Sequence, residues 1–229
     1  MLPRKQQIRG DIFLNMIDKN KKHYLTIKSA QANKKLAKFL ESTKNELDNF
    51  FEFKIVEPLI FFLDNRGEMD LIWGKKTEHW FVGAFKNNSI FIFNPEVYSK
   101  ESSHKKEEFW ITLKHEYCHA CYTQITKSHH PVWLNEGLAS YVSGKKLVLG
   151  NGYESKLLNV FDYFNHVDKD VYMLGQFWVE FLIKKYGRKK FLKLIKSFNG
   201  QFDSRQFMKN FYDIYNFKFN KQTFSKFLN

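Results

Sequence analysis

Five residues, His115-Glu116-Tyr117-Cys118-His119, constrain this 229-residue chain more tightly than any other stretch. Two histidines four positions apart share a face only if the segment is helical, because about 3.6 residues complete a turn. Set that way, both imidazoles can present a nitrogen to one zinc ion. Glu116 then sits beside the ion and not on it, placed to take a proton from a water as that water attacks a carbonyl. The motif predicts a helix, a metal and a general base together.

A hydrolytic zinc site takes three protein ligands and leaves one position open. Seventeen residues beyond His119, Glu136 lies within Pro131-Val132-Trp133-Leu134-Asn135-Glu136-Gly137-Leu138-Ala139-Ser140-Tyr141-Val142. Pro131 and Gly144 bracket this segment as a second helix, proline at its first turn and glycine just past its end. A helix glutamate is ordinarily solvated. Glu136, however, is flanked by Trp133, Leu134, Leu138 and Ala139, so its face reads as buried, and a buried carboxylate needs a cation. Glu136 is therefore the expected third ligand. His129 and His130 read as surface or rim of the site. A metzincin arrangement would need a histidine six residues after His119, where Ile125 stands. Cys118 and Cys121 fall on the zinc helix itself, without a second C-x-x-C to complete a structural site, and read as small fillers of its core-facing side.

With these residues in hand, H-E-x-x-H followed by W-L-N-E-G-x-A-S-Y-V resembles the gluzincin metallopeptidases, close to their zinc aminopeptidase branch. The resemblance implies zinc-dependent hydrolysis of peptide bonds, with a peptide or protein as substrate. It extends with looser matches over residues 80–187. Gly83-Ala84-Phe85-Lys86-Asn87 stands where those enzymes carry G-A-M-E-N, which implies a substrate-binding edge strand using Gly83, Ala84 and Lys86. Tyr172-Met173-Leu174-Gly175 looks like the family's Y-x-x-G helix start, which implies that Tyr172 stabilises the oxyanion; the alternative is an ordinary aromatic at a helix start. Lys86 replaces the glutamate that holds a substrate's free amine, and a lysine repels an ammonium. Cleavage within chains is expected over release of N-terminal residues. The chain has no room for the large aminopeptidases' extra domains and is similar to the small single-domain peptidases of the clan.

Pattern along the chain predicts an α+β fold, a helix and small mixed sheet over about residues 1–100 and then a helical lobe, and the resemblance implies that these form one zincin-like catalytic domain with zinc carried by the helical lobe. Ala32, Leu36, Phe39, Leu40, Leu47, Phe50 and Phe51 recur at helical spacing over 30–51. Apolar runs at 58–63, 69–73, 79–85 and 90–93 read as strands, the last two a hairpin across Asn87-Asn88. Helices follow from Ser103: the zinc helix to about 127, the N-E-G helix, 174–186, 188–198 and two more. The aromatics from Phe202 to Phe227, Tyr212 among them, read as core.

The net charge of +13 raises nucleic acid as a partner. Only five of the 37 basic residues are arginine, and the lysines are scattered without interleaved aromatics. Specific nucleic-acid binding is not expected, although a zinc-containing binding module with such affinity is the alternative to a peptidase. No signal-peptide-like run opens the chain and no apolar stretch approaches a membrane span, so a cytoplasmic protein is expected.

Overall fold

Branched and aromatic residues dominate Leu59–Leu63 and Ser89–Phe93 and favour extended backbone, and these runs form the centre of a small mixed sheet. A computed structural model describes residues 24–25, 34–149, 153–166, 168–198, 200 and 202–228. Its strands are β1 (Tyr24–Leu25), β2 (Leu59–Leu63), β3 (Gly83–Lys86) and β4 (Ser89–Phe93), in the order β1-β2-β4-β3. β2 and β4 run parallel, with Phe61 beside Phe91, and β3 pairs antiparallel to β4. All five residues of β4 are buried, as a central strand covered on both faces requires. β3 lies at the edge. Asn87 and Asn88 both take positive φ, at 51° and 56°, the left-handed pair that a two-residue hairpin turn demands.

The helices are α1 (Lys34–Phe51), α2 (Arg66–Trp73), α3 (Phe109–Thr126), α4 (Val132–Val142), α5 (Lys169–Tyr186), α6 (Arg188–Lys196), α7 (Ser204–Tyr215) and α8 (Lys221–Ser225), with a 3-10 segment over Glu154–Asp162. The α+β class and the helical C-terminal part agree with the sequence pattern. The run at 69–73, expected as a strand, is helical. Asn65 caps it by accepting from the Glu68 amide at 3.1 Å, and Gly74 closes it in the left-handed region. Those two terminal signals outweigh the apolar run. The helix expected over 30–51 is seen from Lys34, and Ala32 lies outside the described residues. α5 begins five residues earlier than expected because Asp168 caps it, accepting from Asp170 at 2.7 Å. The 3-10 segment, with its weak local pattern, was not foreseen.

The chain divides into two compact units, Met1–Asn45 with Glu57–Leu113, and Glu46–Val56 with Lys114–Asn229. In the first, Phe62 meets Phe109 at 6.3 Å between ring centroids, and Arg66 ties the loop before β3 by donating to Phe81 O and Glu101 O. In the second, Trp133 stacks on Phe219 at 5.3 Å, and Phe207, Phe211, Tyr215, Phe219 and Phe224 are buried around it. Tyr212 departs from the aromatic stripe: it is 51% exposed, one residue round the helix from the buried Phe211. Among the described residues, no helix is long and apolar enough to cross a membrane.

Candidate metal centre

α3 supplies the histidines. Its middle is buried on every side, with Tyr117, Cys118, Ala120, Cys121 and Tyr122 at 1% exposure or less, as for a helix in the heart of its unit. The two cysteines are free core residues. One helical turn brings the His115 and His119 rings to 4.6 Å. α3 ends where Lys127 turns left-handed (φ 56°), and the Thr126 hydroxyl donates back to Tyr122 O at 2.8 Å.

α4 supplies the carboxylate. Pro131, at its N-cap position, offers no capping side chain, so the first amides find other acceptors. Val132 N donates to Phe164 O at 2.9 Å and Trp133 N to Tyr163 O at 3.0 Å, which fastens the helix start to the loop after the 3-10 segment. Glu136 then points one oxygen at both rings: its Oε2 lies 3.2 Å from His115 Nε2 and 3.4 Å from His119 Nε2. Ligand atoms about 2.0–2.1 Å from a tetrahedral zinc stand about 3.3 Å apart, so these separations fit a shared ion. The three donor atoms all lie within 4.8 Å of one another. His129 and His130 do not join them. The first contacts Thr123 Oγ1 at 3.3 Å and the second the Phe164 carbonyl at 3.2 Å.

Asn135, which the sequence reading passed over, fixes the tautomer. Its Oδ1 lies 2.8 Å from His119 Nδ1, so that nitrogen donates and Nε2 is left facing Glu136. The Asn135 amide donates in turn to His129 O at 3.3 Å. Its place beside Glu136 in N-E-G was the available signal.

α5 brings Tyr172. α4 and α5 cross at Gly137 and Gly175, and the approach admits no side chain: a Cβ on Gly137 would stand 2.2 Å from the Gly175 carbonyl carbon, and one on Gly175 would stand 2.2 Å from Trp133 O. Tyr172, one turn before Gly175, ends with its ring 6.0 Å from that of His115. The two glycines thus bring the N-E-G and Y-x-x-G segments into direct contact.

Electrostatics follow from burial and proximity. Burial alone would lower the His119 pKa, but the charge and bond of Glu136, the charge of Glu116 and the bond to Asn135 raise it to about 9. Burial pushes His115 down to about 4 against the Glu136 bond, with the charges of His119 and Lys145 acting in the same direction as burial. Burial would raise Glu136, but the His119 charge and both histidine bonds hold it well below the usual carboxylate range. Glu136 thus favours the protonated form of His119, while burial disfavours that of His115. Burial, followed by the charges of Glu136 and Glu116, pushes the Tyr172 phenol far above its ordinary value. Glu116 is itself buried, at 6% exposure.

Gly83, Ala84 and Lys86 form edge strand β3 in the first unit. The Lys86 ammonium is turned onto the end of α2, donating to Ile72 O at 3.3 Å and lying 5.1 Å from the Trp73 ring centroid. A cation at a helix C-terminus is favourable, so this lysine has a structural engagement that the spacing did not foretell.

No protein-family model, curated protein or solved structure matches the chain.

Proposed function

We propose that this protein is a zinc peptidase of the gluzincin kind that cuts within polypeptide chains. The observation that carries the reading is the convergence of His115 Nε2, His119 Nε2 and Glu136 Oε2 beside a buried Glu116. Two imidazoles and one carboxylate are the donor set of hydrolytic zinc sites, with a fourth position for water or substrate. Bound there, zinc supplies Lewis acidity, polarising a carbonyl and making water acidic near neutral pH. Glu116 accepts the proton of the attacking water and passes it to the leaving nitrogen. Tyr172 donates a hydrogen bond to the carbonyl oxygen as that atom gains charge. Its raised pKa keeps the phenol protonated, and so a donor, throughout the neutral range. By the resemblance, Gly83 and Ala84 are the candidates to pair with an extended substrate. The resemblance implies a glutamate where Lys86 stands, and the lack of that anion favours internal bonds over release of N-terminal residues. Two free, buried cysteines suit a reducing compartment, and a cytoplasmic location belongs to this reading.

The test pairs metal analysis with digestion of an unstructured protein. Wild type should hold about one zinc per chain and cut, whereas Glu116→Gln should keep the metal and lose about two to four orders of magnitude in turnover. Retained zinc without cleavage of any polypeptide would favour the binding-module alternative. Loss of zinc in Glu116→Gln would make Glu116 a structural partner and remove the mechanism.

A further inference from the structure

The segment after α4 carries a lysine whose backbone is fixed twice. Gly144 turns the chain through the left-handed region (φ 79°), where glycine meets no Cβ penalty. The Lys145 amide donates to Ser140 O at 3.2 Å, and its carbonyl accepts from the side-chain amide of the buried Gln176 on α5 at 2.6 Å. A residue held at both amide and carbonyl starts its side chain from a set place, unlike a lysine on a loop tip. From there the ammonium lies 5.6 Å from the Tyr172 ring centroid, within cation–π range, and its charge is felt at His115. Lys145 is an exposed residue, so an arriving group can reach it. Glu116 and Glu136 balance the two charges of a divalent ion. Lys145 then leaves the centre one positive charge in excess.

We propose that Lys145 recognises a carboxylate on the substrate, an acidic side chain next to the bond that is cut or, where an internal bond near a chain end is cut, the free C-terminus. It thereby gives the site a preference for acidic peptides. This rests on the peptidase reading above and names its substrate class. A carboxylate meeting this ammonium gains a charge-assisted hydrogen bond that a neutral amide lacks. Because the lysine is exposed, the preference is modest and weakens with salt.

The experiment titrates zinc-loaded wild type, Lys145→Ala, Lys145→Glu and Lys146→Ala with three small ligands, followed by ligand-observed NMR. N-acetylalanine carries a free α-carboxylate, N-acetylalaninamide is neutral, and the α-amide of N-acetylaspartate carries only an acidic side chain. Wild type and Lys146→Ala should hold one carboxylate ligand roughly five-fold more tightly than the neutral amide. Lys145→Ala should erase that difference and Lys145→Glu reverse it, all four proteins keeping their zinc. Which acid shows the effect identifies the source of the carboxylate. A preference that survives in Lys145→Ala, or zinc loss in that variant, overturns the proposal. If all three ligands bind wild type equally, Lys145 has no such role and the peptidase reading stands. If none binds any zinc-loaded protein, the peptide site falls and the proposal falls with it.

Discussion

Helix α4 joins two cores of the second unit that are built on opposite principles. At Trp133 it enters a cluster of rings, stacked on Phe219 and set edge-on to Phe207 at 6.4 Å. At Asn135 and Glu136, less than one turn later, it enters a cluster of buried polar groups with His115, Glu116 and His119. Ring contacts are numerous and nearly interchangeable, so each removal loses area and little else. The polar cluster works otherwise. His115, His119, Asn135 and Glu136 each hold a specific partner there, and a buried group left without one costs about 1–3 kcal/mol, more if it is charged. The aromatic core should therefore tolerate change gradually, while the metal end should respond to single atoms.

The largest effect should come from Gly137→Ala. The new methyl would meet the Gly175 backbone at 2.2 Å, which no rotamer change can relieve. Overpacking of this kind costs about 3 kcal/mol or more, and here it also pushes Tyr172 away from His115. Chemical denaturation should show the stability loss, and turnover should fall even at temperatures where the variant stays folded. A variant with wild-type stability would mean that the two helices do not cross so closely. Next comes Asn135→Ala, which frees His119 Nδ1 and lets the imidazole take either tautomer. Zinc affinity should drop about 10- to 100-fold by competition with a chelator, with the fold intact.

Both glycines and Asn135 were present in the motifs, yet their roles were legible only in part. The cluster could be read because a helix period and a buried face are local properties, and His115, His119 and Glu136 do converge. The hairpin could be read because Asn87-Asn88 permits few other conformations. The stretch expected as a strand at 69–73 is a helix because Asn65 and Gly74, which bound the apolar run, act as helix caps and not as turns between strands. The Gly137–Gly175 crossing and the carbonyls of Tyr163 and Phe164 that start α4 are tertiary, and no window of sequence contains both partners. Lys86 and Lys145 illustrate the limit well. The sequence marked Lys86 only by the residue it replaces and Lys145 not at all, and only position shows one bound to a helix end and the other beside Tyr172.

A smaller effect sharpens the contrast through pH. In the metal-free protein the His119 pKa is raised from 6.5 to about 9. Its stabilisation of the polar cluster is thus complete below about pH 6.5 and is lost as pH rises through about 9. Zinc binding needs that imidazole neutral, so uptake at pH 7 should release about one proton. Affinity should climb about ten-fold per pH unit from 7 toward 9 and then level. Calorimetry in two buffers of different ionisation enthalpy measures the proton directly. Uptake with no proton release at pH 7 would mean that His119 is already neutral and the ion pair is not formed as described.

The smallest effect belongs to the aromatic core. Phe211 is fully buried among Phe207, Tyr215, Phe217 and Phe219, with centroid distances from 4.6 to 6.0 Å. Phe211→Leu removes part of one ring and leaves neighbours able to close some of the space, at a cost of about 1 kcal/mol. Zinc affinity should stay within about two-fold of wild type, because no group in the polar cluster loses a partner and mutations at separate sites act nearly independently. Thermal unfolding and chelator competition on the same sample provide both numbers. If Phe211→Leu weakened zinc as strongly as Asn135→Ala, α4 would be transmitting strain from rings to ligands, and the two cores would be one cooperative structure.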